Sequence, residues 1–146
     1  MTTLKTSPIY ITHQDKRRLE KLIEKLQRDP MNRDNLTSLV TELDRAKTVR
    51  SKDMPRNVVT MNSHVAVVDL DTSERLALTL VFPEDADVEK NKISVLAPIG
   101  SGILGYRVGD EFEWEVPEGK RRFTIAKVVY QPEAKERSLF RIPTYV

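Results

Sequence analysis

The chain has 146 residues, 39% of them hydrophobic and 32% charged. That length is enough for one buried core or a core with a small appendage, and the composition is that of a globular chain, not a disordered one. There is no cysteine, so disulfides, thiolate metal sites and cysteine nucleophiles are excluded. The net charge of +2 conceals an asymmetry: residues 1–56 carry 13 Lys/Arg against 8 Asp/Glu, leaving 11 against 14 of the chain's 24 and 22 for the rest. A basic first half suits a solvated helix face better than a nucleic-acid-binding one.

The N-terminal MTTLKTSPIY lacks the apolar core of a signal peptide, and no apolar run approaches a membrane span, so a cytoplasmic protein is expected. Ile9-Tyr10-Ile11 is a short apolar entry. Thr12 then offers an N-cap with Asp15 three residues on, and Leu19, Leu22, Ile23 and Leu26 follow at helical spacing. Asp29-Pro30 should end this helix, because proline disfavours helix in the residue before it. Asp34 or Asn35 can cap a second helix with Leu36, Leu39, Val40 and Leu43 on one stripe. The spacing therefore predicts an antiparallel helical hairpin from Thr12 to about Arg50, with about 16 residues and about 24 Å per helix.

The polar connector Arg50 to Met54 leads to Pro55, beyond which the periodicity changes. Val58 to Thr60 and His64 to Asp69 read as extended. Asp71-Thr72-Ser73 supplies a turn, and Leu76, Leu78, Leu80 and Phe82 alternate along a strand. PEDADVEKN reads as an acidic surface loop. His13 and His64 lie in unrelated segments, so no histidine-based metal or acid/base site is expected.

The most informative stretch is Ile93 to Tyr130. A short apolar run, Ile93 to Val95, stops at Ala97-Pro98, and Pro98 is suited to the first turn of a helix. That helix must be short, because Gly100, Gly102 and Gly105 weaken it and Gly105 suits a left-handed cap. EFEWEV (Glu111 to Val116) alternates without a fault, as expected of a strand buried on one side. PEGK is a turn, and RRFTIAKVVY returns as the partner strand. Its inward phase slips near Ala126-Lys127, which predicts a bulge. In the tail, Leu139, Phe140 and Ile142 could pack back or remain free.

This order, with its Pro-Ile pair, glycine-studded helix and closing V-x-Y strand, resembles the C-terminal domain of the bacterial transcript cleavage (Gre) factors. ELDRA (Glu42 to Ala46) followed by MPRNVVTMNSHV (Met54 to Val65) is similar to the Gre relatives known as regulators of nucleoside diphosphate kinase. The resemblance implies an α+β protein: a short coiled-coil helical hairpin over residues 1–53, an FKBP-like β-rich domain over 54–132 and a tail over 133–146. It further implies a non-enzymatic transcription regulator without metal or cofactor. Its partner would be bacterial RNA polymerase at the rim of the secondary channel, met through Leu96, Ala97, Pro98 and Ile99. Gre factors carry a polar pair where Leu96-Ala97 stands here. Their long coiled coil ends in a GDLxEN-type tip whose carboxylates hold a catalytic magnesium. Here the tip is RDPMNRDN, and Asp29 and Asp34 are expected to be non-catalytic. An FKBP-like prolyl isomerase and a basic nucleic-acid-binding module are the alternatives. The isomerase lacks spare aromatics for a proline pocket, and the nucleic-acid module lacks the aromatics that stack on bases. Neither direct nucleic-acid specificity nor membrane binding is expected, and the chain should be a monomer.

Overall fold

The computed structural model describes residues 9–30, 33–116 and 119–135. Thr12 is extended (φ −74°, ψ 154°), and its Oγ1 accepts the Asp15 N–H at 3.1 Å. This cap starts α1, His13–Leu26, which buries Leu19 and Ile23. α1 ends short of the Asp29-Pro30 boundary expected from the sequence. Gln27 N–H still reaches Ile23 O at 2.9 Å, but Asp29 N–H bonds Leu26 O at 3.1 Å in a tighter turn. Pro30 keeps the chain ahead of it from continuing as helix. α2, Arg33–Arg45, buries Leu36, Leu39 and Leu43 and packs against α1. Asp34 and Asn35, expected as its caps, lie inside the helix.

α2 also stops earlier than the expected Arg50. Lys47–Val49 forms β2, paired in parallel with β1, Tyr10–Thr12, in the register Tyr10↔Lys47 and Thr12↔Val49. Ile9 and Ile11 are buried, and the β-branched Thr48 and Val49 favour an extended chain over another helical turn. A 3-10 turn over Ser51–Asp53 then leads to buried Met54.

The second half is a curled five-stranded sheet. Its strands are β3, His64–Asp69; β4, Arg75–Val81; β5, Lys92–Ser94; β6, Glu111–Val116; and β7, Gly119–Tyr130, in the order β5-β4-β3-β7-β6. All neighbours are antiparallel except β4 and β5, which the crossover 82–91 joins in parallel. Val65 pairs Val128, Ala66 pairs Lys127 and Val67 pairs Ile125, so Ala126 is the extra residue of a bulge. The side-chain phase slips at the position the alternation predicts. Of the 58–60 segment, Val58 makes only an isolated bridge to Arg107, while Val59 N–H bonds Tyr106 O at 2.8 Å.

Between β5 and β6 lies α3, Pro98–Ile103. Gly105 follows it at φ +83°, with its N–H on Val59 O at 2.9 Å; a Cβ there would stand 2.3 Å from Ile9 Cβ. The position therefore requires glycine for both conformation and space. Leu19, Ile23, Leu39 and Leu43 of the hairpin belong to the same core as Val65, Val67, Leu80, Ile103 and Phe123. The Phe112 and Phe123 rings of this core stack at 5.6 Å.

After β7 the chain crosses back over the 55–63 segment. Gln131 Nε2 donates to Pro55 O at 2.8 Å and Val58 O at 2.9 Å. In the helical turn 132–135, the buried Glu133 accepts from Thr60 Oγ1 at 2.7 Å. Leu139, Phe140 and Ile142, candidates for packing back, lie outside the described residues, as do the 31–32 part of the hairpin tip and Pro117-Glu118 of the PEGK turn.

Candidate docking loop and hairpin tip

The loop Leu96 to Ile99 is launched by β5. Ser94 pairs Val81, and Val95 N–H extends the ladder to Val81 O at 2.9 Å with the Val95 side chain fully buried. Ala97 is extended (φ −67°, ψ 148°) as the N-cap of α3, and Pro98 opens the helix. Proline has no N–H to lose there, and its fixed φ suits the first turn. The four sequence-predicted residues are thus contiguous at the head of α3, but they differ in exposure. Leu96 and Ala97 are half-buried at the surface, whereas Ile99 is 7% exposed and belongs to the core.

Asp29 is exposed in the turn after α1, and Asp34 is the second residue of α2. Among the described residues no group of three or more His, Asp or Glu side chains is placed to hold a metal ion. The helices have 14 and 13 residues, or about 21 and 20 Å at 1.5 Å per residue, shorter than the expected 24 Å.

Three polar arrangements escaped the sequence reading. Arg18 of α1 lies 3.8 Å over the centroid of the Phe82 ring and donates to Glu84 at 2.7 Å, joining the hairpin to the end of β4. Asp69 accepts from the N–H groups of Asp71 at 2.8 Å and Thr72 at 3.1 Å and from Arg121 Nε at 2.7 Å. Burial would raise its carboxyl, but these bonds and the Arg121 charge outweigh it and hold the group below its ordinary range. The turn itself lies where Asp71-Thr72-Ser73 places it, but the Asp69 carboxylate that caps it and the bond to Arg121 come from outside that tripeptide. The third arrangement is a cleft of about 410 Å³ at the start of α1, lined by Asp15, Glu133, Arg18, Arg50, Asn62 and Met61 among others. There burial, and next the charge of Glu133, push Asp15 up to about 6. Among the described residues no helix is long and apolar enough to cross a membrane.

Comparison with known proteins agrees with this architecture. Residues 54–130 match the family of the transcription elongation factor GreA/GreB C-terminal domain, and residues 7–49 match the Rnk N-terminus. The regulator of nucleoside diphosphate kinase of Escherichia coli (strain K12) is 42% identical over 98 residues, covering 66% of this chain and 72% of that protein. Transcription elongation factor GreA of Hyphomonas neptunium is 32% identical, covering 66% of this chain and 61% of that one. The solved structure of a GreA/GreB elongation factor from Nitrosomonas europaea superposes with a TM-score of 0.74 at 44% identity, covering 84% of this chain and 99% of that one. The hairpin and sheet are those of a GreA/GreB-type protein, and the chain belongs to the regulator of nucleoside diphosphate kinase family.

Proposed function

We propose that this protein is a non-catalytic regulator of transcription that docks on bacterial RNA polymerase beside the secondary channel and competes there with Gre factors. The carrying observation is a mismatch between its two halves. The GreA/GreB-type C-terminal domain matches from residue 54 to 130, yet the arm ahead of it is only about 21 Å long and has no GDLxEN sequence. Docking without a delivered magnesium ligand gives occupancy without cleavage. Leu96 and Ala97 form the contact surface, Pro98 sets the direction of α3, and Ile99 anchors the loop from below. Asp29 and Asp34 have no catalytic role. The protein acts as a cytoplasmic monomer, and any effect on nucleoside diphosphate kinase passes through transcription.

Residues 54–132 are read as an FKBP-like domain, on the ground that a curled sheet closes over one short helix. Isomerase activity does not follow from that likeness. Tyr106, Phe112 and Phe123 are buried in the core, Phe82 lies under Arg18, and among the described residues the clefts along α1 are lined by His13 but by no Phe, Tyr or Trp ring. Beside the basic face of α1 around Arg17, Arg18 and Lys21, Phe82 is buried under Arg18 and offers bases no open ring to stack on, which disfavours the nucleic-acid reading.

Surface-immobilised RNA polymerase core enzyme tests the docking. The wild-type chain should bind, and Pro98→Asp, verified as folded, should lose most of the affinity. A folded Pro98→Asp protein that binds like wild type would move the interface elsewhere.

A further inference from the structure

The docking reading names Leu96 and Ala97 as the contact but leaves open what fixes their shape. Ser94, the last residue of β5, holds both. Its Oγ accepts the Leu96 N–H at 3.0 Å, and its carbonyl accepts the Ala97 N–H at 3.0 Å. The first turn of α3 presses on the same carbonyl: a Cβ on Gly100 would lie 2.1 Å from Ser94 O, so only glycine lets the helix start so close. Ser94 itself is held by its pairing with Val81, and the fully buried Val95 follows it. One residue therefore ties the strand end, the loop and the helix start together.

We propose that Ser94 is the positioning residue of the docking loop: it turns the N–H groups of Leu96 and Ala97 inward, so that these two residues meet RNA polymerase in a preset shape and with apolar side chains. This rests on the docking reading above. With both amides bonded to Ser94, the loop offers the polymerase the apolar side chains of Leu96 and Ala97 in place of free N–H donors. A loop fixed before contact loses less freedom on binding, and the gain appears mainly as slower dissociation. The side-chain bond is the part that can be removed singly. Ser94→Ala deletes the Oγ acceptor and leaves the carbonyl bond in place, while Ser94→Thr keeps an oxygen at the same position.

The experiment measures association and dissociation rates on RNA polymerase core enzyme for wild type, Ser94→Ala, Ser94→Thr and Pro98→Asp, with a thermal melt of each. The expected result is a loss of about fivefold in affinity for Ser94→Ala, carried by the dissociation rate, with Ser94→Thr within about twofold of wild type. Wild-type affinity in Ser94→Ala while Pro98→Asp still loses binding would overturn the Ser94 assignment and leave the docking reading standing. Equal losses in Ser94→Ala and Ser94→Thr would also overturn it, since the hydroxyl would then not be the cause. Undiminished binding by folded Pro98→Asp would remove the docking reading, and this inference with it.

Discussion

The Arg18 guanidinium lies 3.8 Å above the centroid of the Phe82 ring, so a residue of the first helix covers an aromatic at the end of β4. Phe82 is only 3% exposed, and Glu84 fixes the far side of the guanidinium at 2.7 Å. An exposed ion pair alone contributes little, whereas the planar stack adds attraction and shields the ring. Arg18→Ala should cost about 1 kcal/mol of stability in chemical denaturation. Arg18→Lys should recover only part of it, because an ammonium does not stack. Full stability in Arg18→Ala would show that the contact does not hold the hairpin.

Asp15 gives a pH signature. With its carboxyl raised from 3.8 to about 6, the folded chain holds a proton that the unfolded chain has already released between those values. Stability therefore falls as pH rises through that window. The rise is equivalent to about 3 kcal/mol at most, and the lost favourable charge at the helix N-terminus reduces the net effect. Asp15→Asn should be more stable than wild type by about 1–2 kcal/mol at pH 7.5 and no more stable at pH 4. Melting curves across this range decide it; an equal difference at both pH values would contradict the assignment.

At Gly105 two constraints coincide, a φ of +83° and a virtual Cβ 2.3 Å from Ile9 Cβ. Gly105→Ala should therefore destabilise the protein by at least about 2 kcal/mol. Gly102, which has open space around its virtual Cβ, sits within α3, so Gly102→Ala should be neutral or stabilising there. Comparable losses at the two positions would show that space and backbone geometry are not what distinguish them.

The hairpin and the β-rich part are proposed as separable units despite their shared core, with the boundary at the connector 50–54. Limited proteolysis should cut first at this connector, in exposed loops or in the tail. A first cut within Phe112 to Val116 would argue against that division.

The legible parts of the fold were those with local periodicity. The alternation of Glu111 to Val116, the stripe Leu19-Ile23 and the phase slip at Ala126 are each local periods, so the strand, helix and bulge follow from spacing. The parallel pair β1 and β2 was not legible, because three residues on each side are too short for a pattern and the pairing joins segments 37 positions apart, as in Tyr10↔Lys47. The same limit applies at the site. Pro98 announced the head of α3, but the two bonds to Ser94 depend on how β5 meets the helix. The role of Arg18 was not legible either, since its partners Phe82 and Glu84 come from a strand end more than sixty residues away.

The most direct test uses a stalled transcription complex with RNA polymerase and labelled RNA. This protein alone should leave the transcript uncut, and at saturating concentration it should reduce the cleavage driven by a Gre factor, because both occupy one docking site. Magnesium-dependent shortening of the RNA by this protein alone, abolished by Asp29→Asn with Asp34→Asn, would make the hairpin tip catalytic. Undiminished Gre-driven cleavage at saturation would show that the two do not share the site.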